Sequence, residues 1–180
     1  LLQNVYTMDE FERLASSNGP TSGKIFLTNG EAPSKVAVIH CAGSLREDSL
    51  NYCSRICCIS ALKVGELVKK QYPTAEIYNI HNDLVLLGPS ESHFLHEQQK
   101  KGTKFLKCED LTTINITEKS GELKVDATGL KTLIVDMVVL STGLKLKDDA
   151  VELANMLNVD FEKNGFLKIA HGVLHETGTS

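Results

Sequence analysis

The first stretch of helical spacing lies at residues 8 to 17, where Phe11, Leu14 and Ala15 recur on one side before Asn18-Gly19-Pro20 ends the run. Residues 20 to 35 are rich in Gly, Pro, Thr and Ser, with a short strand expected at Lys24 to Leu27. Lys35 to His40 is continuous, β-branched and preceded by Pro33, the pattern of a buried strand. A turn over Cys41 to Asp48 leads into a helix expected from about Leu50 to Gln71. There Ile56, Ile59, Leu62, Val64, Leu67 and Val68 make one broad apolar face, and Tyr72-Pro73 stops it.

A second strand is expected at Ala75 to Ile80, a turn at Asn82-Asp83, and a helix over residues 90 to 101 closing on Lys100-Lys101-Gly102. Lys104 to Leu106 reads as a short strand. Leu111 to Thr117 and Glu122 to Thr128 alternate around Lys119-Ser120-Gly121 and read as a hairpin. Lys131 to Leu140 is a third strong strand ending in Ser141-Thr142-Gly143, and residues 148 to 157 form a last helix. The alternation predicts an α/β fold: a Rossmann-like parallel sheet with flanking helices and a small antiparallel hairpin excursion. It is the outline of the pyridine-nucleotide domain of flavin disulfide oxidoreductases. The expected organisation is an N-terminal helix and linker over residues 1–34, a Rossmann-like domain over 35–145, and a C-terminal segment over 146–180.

Composition narrows the function classes. A net charge of −4 offers no basic surface for nucleic acid. The longest apolar run, Leu133 to Leu140, is broken by Asp136 and too short to span a bilayer. No signal-peptide pattern opens the chain, so a cytoplasmic location is expected. The start at Leu1 and the stop at Ser180 suggest a piece of a longer polypeptide.

Chemistry should sit at the first strand–helix turn, because ligands of doubly wound sheets gather at the carboxyl ends of strands. A dinucleotide site would show G-x-G-x-x-G there, but the turn reads His40-Cys41-Ala42-Gly43-Ser44-Leu45. Sulfur stands in place of glycine. Cys41, Cys53, Cys57 and Cys58 fall within eighteen residues, while Cys108 stands alone. On the expected helix, Cys53 and Cys57 share a face and Cys58 lies about 100° round from Cys57. With Cys41 from the strand, these thiolates can converge on one iron–sulfur cluster beside a helix N-terminus, with Arg46 and Arg55 nearby. Spacing alone leaves other readings open: a four-thiolate zinc site, although paired C-x-x-C knuckles are absent, a disulfide-exchange pair, or cysteines that merely fill the core. His40 reads as a packing residue beside the strand. No residue stands out as a nucleophile or general base.

The segments Ile39 to Arg46, Tyr52-Cys53-Ser54-Arg55-Ile56-Cys57-Cys58 and Ala61-Leu62-Lys63 closely resemble the family of heterodisulfide reductase A-type subunits. So do Phe11 to Leu14, Ser17 to Pro20, Asp136 to Leu144, Gly165 to Leu167, Ala170-His171 and Thr179-Ser180. The resemblance implies a thioredoxin-reductase-like flavoprotein with iron–sulfur clusters. Cys41, Cys53, Cys57 and Cys58 would ligate a 4Fe-4S cluster, and Thr142 and Gly143 would lie close to FAD. It further implies electron relay between cluster and flavin, other heterodisulfide reductase-type subunits as partners, and ferredoxin or hydrogenase-type electron partners, in methanogenesis or related anaerobic metabolism. The isolated piece is expected to be inactive. Departures are Leu45 ahead of Arg46-Glu47-Asp48, and the missing flavin-binding half and ferredoxin-type cysteine segments. A degenerate NAD(P)H-binding domain and a metal-free docking module for other subunits are the rival readings.

Overall fold

The computed structural model describes residues 2–119, 121–162 and 165–168. Ser120 of the expected hairpin turn, and Ala170, His171, Thr179 and Ser180 of the resemblance, lie outside the described residues. The chain divides into two compact units, Leu1–Gly143 and Leu144–Ser180.

The first unit is built on a parallel sheet. Strand β1 (Val5–Thr7) runs directly into helix α1 (Met8–Ala15), and β2 (Lys35–Ala42) leads through a long turn to α2 (Cys57–Gln71). There follow β3 (Glu76–His81), α3 (Pro89–Lys100) and β4 (Lys104–Lys107). Next come β5 (Asn115–Lys119), β6 (Glu122–Asp126) and β7 (Leu133–Val135), and then β8 (Met137–Thr142). The sheet order is β1-β8-β2-β3-β4, with every neighbouring pair parallel. Strands β5, β6 and β7 form a separate antiparallel sheet. The expected α/β class with its antiparallel excursion is what the chain forms.

Side-chain alternation along β2 explains the layers. Val36 and Val38 point to one face, where they pack with Ile77, Met137 and Val139 against Phe11 of α1 and Ala61, Val64 and Val68 of α2. Ala37 and Ile39 point to the other, packing with Ile80 and Val138 against Leu123, Val125 and Val135 of the small sheet. Burial on both faces is why β2 reads as an unbroken apolar run.

Three expectations are corrected, and one strand was not foreseen. The helix drawn from Leu50 begins at Cys57, because residues 43–50 close on themselves: Leu50 N–H donates to the Gly43 carbonyl (3.1 Å) and Arg46 N–H to the Leu50 carbonyl (3.0 Å). Lys24 to Leu27 is not a strand; Ile25 is buried there, its N–H donating to Gln71 Oε1 at 3.1 Å. The edge strand β1 is too short to announce itself in the sequence. The run from Lys131 to Leu140 splits into β7 and β8 at Asp136, whose carboxylate accepts the Ser34 N–H, the Ser34 hydroxyl and the Lys35 N–H at 2.8, 2.5 and 2.8 Å.

In the second unit, α4 (Ala150–Met156) presents Val151, Leu153 and Met156 as exposed apolar side chains, and a single bridge joins Phe161 to Leu167. Among the described residues no helix is long and apolar enough to cross a membrane.

Candidate cysteine site at the first strand–helix turn

Parallel strands β2 and β8 set the site. Their register slips between Ile39 and Ala42, where Ala42 comes to face Thr142. Cys41 sits in this bulge with φ of 51°, a left-handed conformation unusual for a side chain of its kind. Leu45 (φ 57°) and Arg55 (φ 64°) share the strain, so three non-glycine residues between Cys41 and Arg55 are held in the left-handed region. Such clustered strain survives only where surrounding contacts over-determine it. Ser49 supplies one such contact, its hydroxyl donating to the Gly43 carbonyl at 2.8 Å. Arg46 supplies another, bonded through Nε and Nη2 to the Asp48 carboxylate at 2.8 and 2.6 Å.

The four predicted thiols lie within electrostatic reach of one another but are distributed differently from the sequence pattern. Cys57 and Cys58 open α2, Cys53 lies in the turn before it, and Cys41 lies near the end of β2, so the helix carries two of the thiols instead of three. All four are free thiols. The Cys41 thiol is pushed up to about 11, first by burial and then by the proximity of Cys58, Cys53 and Cys57. Burial also raises Cys58, opposed by a backbone N–H and reinforced by Cys57 and Cys53. Two backbone donors aim at sulfur: Arg55 N–H at Cys53 Sγ and Val85 N–H at Cys58 Sγ, both 3.4 Å. Helix α2 begins at Cys57; Ile56 at its N-cap position offers no side-chain cap, and its first turn holds no acid to offset the positive dipole end. Among the described residues no three Cys, His, Asp or Glu side chains converge closely enough to hold a metal ion. Arg46, expected to lend positive charge, is engaged by Asp48.

His40 lies within the helical face of the sheet, 1% exposed, with Nε2 2.8 Å from Asn79 Oδ1 and its ring edge-on to His81. Burial lowers its pKa to about 4, so the ring is neutral. Cys108 is buried in the core against the small sheet and is not among the groups that act on the Cys41 thiol.

On that opposite face, a cavity of about 440 Å³ opens at the carboxyl ends of β2 and β8, the point where the strand order reverses. Ile39, Ile114, Ile116 and Leu140 line it with apolar surface, and Arg46, Asp110 and Thr142 bring polar groups. The sequence pattern did not single out Asp110, Ile114 or Ile116 as lining a site, since only the folding of the small sheet and the segment before it against β2 brings them there. Thr142 thus faces a cavity, whereas its neighbour Gly143 is closed in by protein.

No family model matches the chain. Over 98% of its length it is 39% identical to the A-type subunit of the H2/formate:CoB-CoM heterodisulfide,ferredoxin reductase of Methanococcus maripaludis. It is 35% identical, over the same share, to the A-type iron-sulfur subunit of the CoB–CoM heterodisulfide reductase of Methanocaldococcus jannaschii. In both comparisons the chain spans 28% of the relative's length. Among solved structures it is similar to the HOCl-induced flavoprotein disulfide reductase RclA of Escherichia coli in its Cu(II) complex. That match has a TM-score of 0.55 at 11% identity and covers 98% of this chain and 33% of that one, a likeness of fold. With the fold shared and near-complete coverage at 35 and 39% identity, the chain belongs to the family of heterodisulfide reductase A-type subunits and corresponds to a part of such a protein.

Proposed function

We propose that this chain is the electron-relay portion of a heterodisulfide reductase-type oxidoreductase, with Cys41, Cys53, Cys57 and Cys58 holding a 4Fe-4S cluster. The observation that carries the reading is the set of four free thiols around one strained turn, with N–H donors already directed at two of the sulfurs. The donor set fits the group: thiolates are what such clusters require, and N–H···S contacts and burial are the levers by which a protein sets their potential. When bound, the cluster would supply one-electron transfer.

The chain's own residues do the rest. Burial and mutual proximity hold Cys41 and Cys58 protonated until a cation takes the protons' place. Arg55 and Val85 stabilise negative charge on sulfur, and the uncapped start of α2 adds its dipole. Thr142, on the cavity side, would lie close to FAD, which would be held mainly by sequence outside this chain. Other subunits of a heterodisulfide reductase-type complex, and ferredoxin or hydrogenase-type proteins, are the proposed electron partners, and the piece alone is inactive.

The test is anaerobic purification of the full-length protein with iron and sulfide analysis. Loss of one cluster's worth of iron on Cys57→Ala is expected; native protein without iron would sink the reading. Prompt bleaching of the flavin by NADH with no partner present would favour the rival NAD(P)H-binding domain instead.

A further inference from the structure

Strand β8 ends against the cysteine turn. Ser141, 1% exposed, donates its hydroxyl to the Cys57 carbonyl at 3.4 Å, in the first turn of α2. Two residues on, Gly143 has a φ outside the left-handed region, so its backbone does not require glycine. Space does. A Cβ built there would run into Ser44 Oγ, and would meet Leu50 Cδ1 at 2.6 Å and Ser54 Oγ at 3.3 Å. All three neighbours belong to the segment between Cys41 and Cys57, one beside Gly43 and another directly after Cys53. The turn therefore rests on the bare backbone of β8, and any side chain at residue 143 pushes it away.

We infer that Gly143 is a positioning residue for the cysteine site: its missing side chain lets the end of β8 seat the turn that aligns Cys41 and Cys53 with Cys57 and Cys58. This rests on the cluster reading above and adds to it a mechanical link between the site and the strand end that carries Thr142. The link has a built-in means of rescue. Ser44 Oγ, the atom a side chain at 143 would strike first, is buried and has no hydrogen-bond partner. Removing it by Ser44→Ala relieves the tightest contact without breaking a hydrogen bond, and leaves chiefly the flexible end of Leu50 to shift.

The experiment uses the full-length protein, purified anaerobically, as wild type, Gly143→Ala, Ser44→Ala and Gly143→Ala/Ser44→Ala. Gly143→Ala is expected to lose most of the iron held by the four cysteines and its electron paramagnetic resonance signature, with FAD content unchanged. Ser44→Ala alone should keep both, and the double variant should regain most of the iron with the wild-type spectrum. Full iron and an unchanged spectrum in Gly143→Ala overturn the inference. So does a double variant as depleted as the single one, since that marks a general folding defect. A second arm alkylates the chelator-stripped proteins with iodoacetamide and reads each cysteine by mass spectrometry. Gly143→Ala should react several-fold faster at Cys41 and Cys53, with Cys108 unaffected and the double variant restored; equal rates overturn the inference. If Cys57→Ala removes no iron from the wild type, the cluster reading fails by itself, and the alkylation arm still decides the positioning role.

Discussion

Helices α1 and α2 both follow a parallel strand of the same sheet, and they begin in opposite ways. Helix α1 starts one residue after β1, and its first turn is closed locally. Thr7 Oγ1 accepts the Glu10 N–H at 3.3 Å while Glu10 Oε2 accepts the Thr7 N–H at 2.7 Å, a complete capping box. Helix α2 starts only after the whole segment 43–56, carries no side-chain cap, and is preceded by strained backbone. The first start commits its polar groups to its own stability. The second leaves N–H groups and thiols open and relies on packing from β8 to stay in place. The first junction is completed locally, whereas the second depends on contacts from elsewhere in the chain.

The contrast can be broken from either side. The largest expected effect is at α2: Cys53→Ser or Cys58→Ser in the full-length protein should abolish the cluster's electron paramagnetic resonance signal. Cys108→Ala should leave it intact, because Cys108 packs into the core against the small sheet and does not act on the Cys41 thiol. Retention of the signal in both serine variants would erase the distinction between the two starts. Next comes the core beneath α1. Phe11 is fully buried, and Phe11→Ala should cost about 3–5 kcal/mol, read from urea denaturation, with no loss of iron per folded molecule. At the junction itself, Thr7→Ala should cost about 1 kcal/mol by removing the cap, again with iron unchanged.

The smallest effect is a pH dependence. The Thr7 N–H, and after it the Thr7 hydroxyl, hold the Glu10 carboxyl below its ordinary value of 4.5. A carboxylate lowered in the folded state stabilises fully above that ordinary value, and its contribution is lost as pH falls through the lowered one. Hydrogen exchange at α1 should therefore be steady from neutral pH down to about the ordinary glutamate range and quicken below it. Glu10→Gln should flatten that response, whereas Thr7→Ala keeps the backbone N–H and should only lessen it; an equal acid response in wild type and Glu10→Gln would remove Glu10 from the account.

Much of the scaffold was legible because its signals are local. The β-branched run of β2, the stop at Tyr72-Pro73, and the Lys100-Lys101-Gly102 helix end each act within a few residues. What failed to show was set by contacts distant in sequence. Nothing around Asp136 says that its carboxylate will collect Ser34 and Lys35 and so part β7 from β8. Nothing in Leu50 to Ile56 forbids a helix; the segment is withheld from one by its bonds to Gly43 and by β8 lying against it. The cysteines were found from the sequence because residue type and density mark them. Their arrangement was misdrawn because it depended on where α2 begins.

By itself, the sequence determined the layer pattern, the absence of a glycine cradle after β2, and the concentration of four thiols where phosphate contacts would otherwise lie. Those properties follow from side-chain chemistry and from periods of two and 3.6 residues, which need no partner to be read. Tertiary structure alone decided that Cys53 stands outside the helix, that Thr142 faces a cavity, and that Gly143 must lack a side chain. Each of these depends on the parallel pairing of β2 with β8, strands about a hundred residues apart. Only once that pairing forms can the end of one strand press on the turn that follows the other.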